Sequence, residues 1–507
     1  MRALVLPKND WALVLAGGLL FALAYPPFHL ILPSFTCLVP AVWLLVASAD
    51  DERPLRRRLV QGFWFGLATS GTVLYWIVVA LWHFTPLAAA GYAATIVILG
   101  MYGAALFGVV GWIVQRTKLS LLIVLPIGWT ALEWWIGHQG DVRFPWLGLG
   151  TSLTGYPILV QIADIVGARG VTFLLVLANT ALALAWLRRR ESRAIRPVIA
   201  VGAGVVAALG YGALRARTIA PRPVGTIALV QPNVGFSEKW VEEKQLEIFR
   251  DLLALSQAAI DSSAPDLVIW PEAVVRSFYH RPRWEQAISA HVRAAATPIL
   301  VGSTDYVPYE TGSLDHWNAA FLFDRNGSRA GNPPYHKRYL VPIVERVPFV
   351  NPNWFDLRFF GGFSVGEPGV LYDAGLGPFG LLICYESAFE DMTRRYRAMG
   401  ADFVVNITND AWFGETSAPY QHFAHLVMRA IENRVGIARA GNSGISGFVD
   451  PLGRAYGLTP LNRRLHSADV LVTSDTVPLY TRLGDWVGLL SLVGTALLVG
   501  FASWRRS

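Results

Sequence analysis

The sequence predicts a polytopic α-helical membrane domain joined to an α/β domain, and three observations carry that prediction. Of 507 residues, 53% are hydrophobic and only 16% charged, against about 25% charged in soluble domains. Apolar runs long enough to cross about 30 Å of hydrocarbon recur along the first part of the chain. Between 220 and 478 no such run exists, and short Val/Ile/Leu-rich stretches alternate there with charged, helix-like ones. This composition excludes an all-soluble enzyme, a disordered chain and a disulfide scaffold. The two cysteines, Cys37 and Cys384, could form at most one bridge.

The runs come in order near 11–28, 30–49, 59–81, 87–114, 119–137, 158–187 and 197–214, and an eighth lies near 484–504. Between the seventh and the eighth, strands are expected at Thr226–Val230, Asp266–Trp270, Gly380–Cys384 and Asp402–Asn406. Strands alternating with helical patterns read as an α/β domain. The chain thus divides into a membrane domain over 1–219, an α/β domain over 220–478, and a final span with a tail over 479–507.

Arginine and lysine set the orientation. They cluster at Arg2 and Lys8, at Arg53 and Arg56–Arg58, at Arg116 and Lys118, at Arg188–Arg190 with Arg193 and Arg196, and at Arg505 and Arg506. The alternate loops are nearly free of them, with only Arg143 in 138–157. The positive-inside rule puts both termini in the cytoplasm and the α/β domain outside. Arg215, Arg217 and Arg222 lie on the wrong side of this topology, but a segment preceding a large domain translocates largely regardless of charge. The net charge of +7 therefore marks cytoplasmic loops rather than a nucleic-acid-binding stripe.

Three polar residues stand where apolar strands end or loops begin. Glu272 follows Val268-Ile269-Trp270-Pro271, Lys337 sits within Pro334–Pro342, and Cys384 closes Leu381-Leu382-Ile383. A strand ending in Cys before a helix presents a nucleophile to a pocket. A thiol reacts as thiolate, so it needs a base and a positive neighbour. Glu272 could take the proton, and Lys337 could stabilise both thiolate and oxyanion.

These segments resemble the Glu-Lys-Cys triad of the nitrilase, or carbon–nitrogen hydrolase, superfamily. The whole chain resembles the bacterial apolipoprotein N-acyltransferase family. The motifs that carry this are Phe144-Pro145-Trp146-Leu147, Gln231-Pro232-Asn233, Lys239-Trp240, Trp270-Pro271-Glu272, Tyr335-His336-Lys337 and Cys384-Tyr385-Glu386. Asn409–Gly414, Gln421-His422, Arg429-Ala430, Tyr480-Thr481-Arg482 and Gly484-Asp485-Trp486 follow in order. The pattern departs at Ala273, where Ser or Thr is common, and at Ile343-Val344, where Phe-Gly precedes the supporting Glu.

The resemblance implies an extracytoplasmic nitrilase-like αββα sandwich on an eight-span bacterial inner-membrane protein. It implies that Cys384 takes an acyl chain from a phospholipid, usually phosphatidylethanolamine, as a thioester. The α-amine of a diacylglyceryl-cysteine at a lipoprotein's N-terminus then receives it. Glu272 would be base and then acid, Lys337 would hold the oxyanion, and Glu345 would position the site. Tyr385 and Glu386 match residues packed beside the nucleophile, and Trp240 and Trp412 match aromatics near the lipid entrance. No cofactor is implied. His83, His138, His336 and His422 form no ligand spacing, so no metal site is expected.

Other readings compete. Trp240 and Trp412 read equally well as packing residues or interfacial anchors, and Glu133 and Asp164 as structural polar contacts within apolar runs. The chain as a whole also fits a tethered amidase or nitrilase acting on a small C–N substrate, although eight spans exceed the needs of an anchor. A non-catalytic lipoprotein-binding membrane protein is the third reading.

Overall fold

The structure is a computed structural model that describes residues 5–82, 88–235, 238, 241–308, 314–329, 331, 333–342, 344–346 and 362–505. The apolar runs of the first part become α1 (Lys8–Ala24), α2 (Ile31–Thr36), α3 (Val39–Ala47), α4 (Pro54–Val73), α5 (Trp76–Trp82), α6 (Ala88–Thr117), α7 (Leu121–Gly137), α8 (Ala163–Leu187) and α9 (Arg196–Thr218). Among the described residues, α6, α8, α9 and the C-terminal helix Trp486–Trp504 are long and apolar enough to cross a membrane. The pair α4 and α5, bent by 58°, would make a fifth span. The run expected at 30–49 is divided between α2 and α3, with Cys37 and Leu38 at the break.

Small residues let these helices approach closely. Gly62 of α4 faces Gly103 of α6, and a Cβ on Gly62 would stand 2.3 Å from the Gly103 carbonyl oxygen. Without a hydrophobic driving force between spans, such contact is what holds them together. Gly167 interrupts α8 with φ of +66°, a conformation that glycine adopts without steric cost.

The α/β domain begins with β1 (Arg222–Gln231), followed by α10 (Glu242–Ser263), β2 (Leu267–Ile269), α11 (Pro282–Ala295), β3 (Ile299–Pro308), β4 (Leu314–Phe323) and β5 (Tyr335–His336). A second series holds β6 (Tyr372–Asp373), β7 (Pro378–Ile383), α12 (Glu390–Ala398), β8 (Phe403–Thr408), α13 (Ala418–Asn433), β9 (Gly436–Gly441), β10 (Gly447–Val449), β11 (Ala455–Tyr456) and β12 (Leu465–Thr473). The chain ends in α14 (Leu479–Leu483) and α15 (Trp486–Trp504).

Two six-stranded sheets form, in the orders β12-β1-β2-β3-β4-β5 and β11-β10-β9-β8-β7-β6. The alternation of side chains along each strand decides the layering. On β1, Ile227 and Leu229 join the core shared with Leu381 and Val405 of the other sheet. Ala228 and Val230 turn instead toward Phe249 and Leu252 of α10 and Ile288 and Val292 of α11. Helices α12 and α13 pack on the second sheet, so the domain is an α–β–β–α sandwich.

Buried ion pairs fasten this domain to the apolar helices. Arg434 donates from Nη2 to Asp164 Oδ2 at 2.8 Å, and Arg215 Nε reaches the same oxygen at 3.0 Å. Asp164 is thus a structural contact, and it accounts locally for Arg215. Arg222, at the start of β1, pairs instead within the α/β domain, with the half-buried Asp402 at 2.7 Å. Glu133 accepts from Trp129 Nε1, from the Leu149 backbone and from Thr172, all at 2.9 Å, which is also a structural role.

Candidate active site

The three polar residues singled out in the sequence arrive at one place because each lies just beyond a strand end. Glu272 follows β2, Lys337 follows β5, and Cys384 follows β7. Lys337 is pinned in register, its N–H bonded to the Asn318 carbonyl at 2.8 Å and its carbonyl to the Gly366 N–H at 2.9 Å. Cys384 opens a single 3-10 turn, Cys384–Ala388, with φ of +53°. A non-glycine residue rarely adopts that left-handed conformation, and such strain persists only where the surroundings hold it.

Lys337 is fully buried, and its Nζ stands 2.8 Å from Glu345 Oε1 and 3.4 Å from Glu272 Oε1. Burial opposes its charge, but Glu345 and then Glu272 outweigh that effect and hold the ammonium above its ordinary range. Glu272 is fixed at both oxygens: Asn318 Nδ2 donates to Oε1 at 2.6 Å, and the Asn409 N–H donates to Oε2 at 2.8 Å. Asn318 also donates to Glu345 Oε1 at 3.1 Å, so one amide holds both carboxylates. The Val341 N–H closes on Glu345 Oε2 at 2.8 Å.

Burial pushes the Cys384 thiol well up, and Glu272 adds to that. Lys337 works in the opposite direction. Burial thus favours the neutral thiol at Cys384, with the Glu272 carboxylate close enough to reinforce that preference.

Glu386 ties the nucleophile turn to the lysine segment. Its Oε2 accepts from the Ile383 N–H at 2.7 Å and the Tyr335 hydroxyl at 2.8 Å, and its Oε1 accepts from the Arg338 N–H at 2.7 Å. The Tyr385 hydroxyl donates to the Arg143 carbonyl at 3.0 Å, which joins the turn to the loop after α7.

Beside Cys384 opens a cavity of about 410 Å³ lined by Trp76, Leu81, Ile98, Phe144 and Trp146. Trp412 lines it too, whereas Trp240 lies outside the described residues. The lining is overwhelmingly apolar and comes from α5, α6, the loop after α7 and the α/β domain together. A thioester formed at its wall would be shielded from water.

Cys384 Sγ, a ring nitrogen of His422 and a carboxylate oxygen of Asp410 lie within 4.8 Å of one another. As a set they could hold an ion, but Arg439 Nη2 already bonds Asp410 Oδ2 at 2.7 Å and stands 3.0 Å from His422 Nδ1. Positive charge thus already occupies that corner.

Sequence reasoning assigned no role to Asn318, Thr408 or Asp410. Asn318 had one usable signal, a lone amide in the otherwise apolar run Trp317–Phe321, since a buried amide needs partners. Thr408 and Asp410 flank Asn409 at the end of β8, and only the fold brings them beneath the thiol.

Residues 17–181 match the apolipoprotein N-acyltransferase N-terminal domain, and residues 226–470 match the carbon–nitrogen hydrolase family. An apolipoprotein N-acyltransferase of Geobacter metallireducens is 31% identical over 99% of this chain and 97% of its own. One from Methylococcus capsulatus is 30% identical over 97% of this chain and 96% of its own. A solved yeast structure, Saccharomyces cerevisiae Nit3 of the nitrilase superfamily, aligns with 50% of this chain and 90% of its own at TM-score 0.38 and 17% identity.

Proposed function

Because the chain belongs to the apolipoprotein N-acyltransferase family and is an N-acyltransferase, we propose that it works through a thioester on Cys384. In the first step Glu272 takes the thiol proton as Sγ attacks the ester carbonyl of a phospholipid, phosphatidylethanolamine being the expected donor. Lys337 stabilises the oxyanion of the tetrahedral intermediate. Glu272 then returns the proton to the departing lysophospholipid alkoxide, leaving the acyl chain on sulfur. In the second step the α-amine of a diacylglyceryl-cysteine attacks the thioester. Glu272 removes the amine proton, and the amide leaves with Cys384 again a thiol.

In this reading Glu345 positions Lys337, Glu386 and Tyr385 support the nucleophile turn, and Trp412 borders the lipid path, a role that the family resemblance alone extends to Trp240. The observation that carries it is the buried Lys337 ammonium between Glu272 and Glu345 beside a thiol that opens on an apolar cavity. A small polar amide would leave most of that cavity unfilled, which favours a lipid over the substrate of a tethered amidase.

The membrane arrangement belongs to the same proposal. Eight spans, a catalytic domain on the periplasmic face of a bacterial inner membrane and cytoplasmic termini fit the clustering of Arg and Lys. The corresponding division is 1–219, 220–478 and 479–507. The test is reconstitution of the purified protein with phosphatidylethanolamine and a diacylglyceryl-cysteine peptide. Transfer of one long acyl chain to the peptide amine supports the reading. Hydrolysis of small amides without transfer would favour the amidase.

A further inference from the structure

The left-handed backbone of Cys384 needs something to hold it, and the structure supplies a buried network beneath the nucleophile turn. His422 of α13 is completely buried, and its Nε2 lies 3.0 Å from the Cys384 carbonyl oxygen. A carbonyl only accepts, so Nε2 carries the proton and donates. The other ring nitrogen, Nδ1, stands 3.0 Å from Arg439 Nη2 and 3.1 Å from Asp410 Oδ1.

Arg439 and Asp410 are themselves fixed. Arg439 Nη1 donates to Asn406 Oδ1 at 2.7 Å, and Thr408 Oγ1 donates to Asp410 Oδ1 at 2.9 Å. The ring therefore has one available orientation, and that orientation aims Nε2–H at the nucleophile's carbonyl. The same segment holds the base, through the Asn409 N–H on Glu272. Nucleophile and base are thus set against each other by residues 408–410 and 422.

His422 itself lines the lipid cavity, and Gln421 beside it holds two of the cavity's walls. Gln421 Oε1 accepts from Trp76 Nε1 at 3.0 Å and from Trp146 Nε1 at 2.9 Å. Gln421 Nε2 donates to the Val73 carbonyl at 3.2 Å. Both indoles line the cavity that reaches Cys384. One amide thus joins a wall built from α5 to one built from the loop after α7.

We propose that His422 is a positioning residue for the Cys384 nucleophile and that Gln421 is a positioning residue for the acyl-chain cavity. Two consecutive residues of α13 would then register the lipid ester against the thiol. This rests on the acyltransferase reading. The roles are separable, because His422 acts on the reacting atom through its backbone, while Gln421 acts on walls that the acyl chain fills in ground and transition state alike.

The experiment measures single-turnover acylation of Cys384 in the full-length protein, with phosphatidylethanolamine in mixed micelles. His422→Ala is expected to lower the rate at saturating donor by about 100-fold, the cost of a misplaced nucleophile, with half-saturation changed less than twofold. His422→Gln can put an amide N–H near the Nε2 position and should recover about tenfold over His422→Ala. His422→Asn is too short to do so and should not. Gln421→Met is expected to show the reverse split, with half-saturation raised about tenfold and the saturated rate within about threefold of wild type.

If His422→Ala does not fold, the Gln and Asn variants decide. Equal rates in those two, or a loss that falls on half-saturation for His422 variants, would overturn the assignment of His422. A Gln421→Met loss confined to the saturated rate, or no loss, would overturn that of Gln421. Absence of acylation in wild type would instead overturn the thioester reading itself.

Discussion

Lys337 donates to Glu345 at 2.8 Å with both side chains buried, a shorter contact than the 3.4 Å separating Lys337 from Glu272. Glu345 is thus the closer carboxylate partner of the lysine. Replacing Glu345 by Gln leaves the ammonium with Glu272 alone at 3.4 Å and removes the charge-assisted hydrogen bond of its closer partner. Glu345→Gln is expected to slow acyl-enzyme formation by about 10²-fold or more and to lower the melting temperature. A variant with wild-type single-turnover rate would remove Glu345 from the site.

Cys384→Ala should abolish acyl transfer with little change in melting temperature, because replacing a thiol by hydrogen at this turn removes one small group. Glu272→Gln keeps the shape and loses the base. No acyl adduct should form on Cys384 within the wild-type turnover time, as mass spectrometry of the intact protein would read. An undiminished adduct would take the base role from Glu272.

Asn318 holds Glu272 and Glu345 with a single amide nitrogen. Asn318→Leu is close in size but leaves both carboxylates short of a donor, a loss of about 1–3 kcal/mol per unsatisfied buried group. The expected outcome is a destabilised protein with a rate at saturating donor reduced at least about tenfold. Asn318→Asp should be more severe, since it brings a third carboxylate to one ammonium. Thermal melts together with single-turnover rates test both variants.

Raised buried acids should contribute stability that falls as pH rises from about 4 to 7, the span between their unfolded and folded values. Burial pushes the Glu386 carboxyl up to about 7, against the pull of its hydrogen-bond donors. Burial also lifts Glu432 up to about 7. A raised acid keeps, in the folded state, a proton that the unfolded chain has already lost. Its stability contribution is therefore greatest below the unfolded value and is lost progressively up to the folded one. Buried His422 and His425, whose charge burial disfavours, act in the opposite sense, so the share of one acid is read as the difference in pH dependence of the melting temperature between wild type and Glu386→Gln from about pH 5 to about pH 7.5. Removing Glu386 should remove a fall with rising pH of order 3 kcal/mol from that slope. A slope unchanged in the variant would contradict this origin.

Much of the catalytic end of the fold is legible in the sequence because apolar strands stop abruptly. Ile269 and Ile383 each end an apolar strand shortly before a polar residue of the site, whereas the two-residue strand Tyr335–His336 before Lys337 carries no apolar run to mark it. What sequence could not supply is the partner of each polar group. Asn318 lies mid-strand on β4, and its reach to Glu272 depends on how β3 and β4 pair. The loop before Glu345 lacks the glycine of the family pattern at Val344, yet Glu345 still reaches Lys337 because the Val341 N–H closes on its second oxygen. In the membrane part, hydropathy marks apolar runs but not their breaks. The run at 30–49 is split at Cys37, and α4 turns through 58° into α5. That bend brings Trp76 to the cavity wall beside the nucleophile.

The most direct test of the account is to quench the purified protein after incubation with phosphatidylethanolamine alone, digest it, and map the acylated residue by mass spectrometry. The account predicts one long-chain acyl group on Cys384, labile to hydroxylamine and discharged by a diacylglyceryl-cysteine peptide. An acyl group on any other residue, or transfer to the peptide that proceeds undiminished in Cys384→Ala, would contradict it.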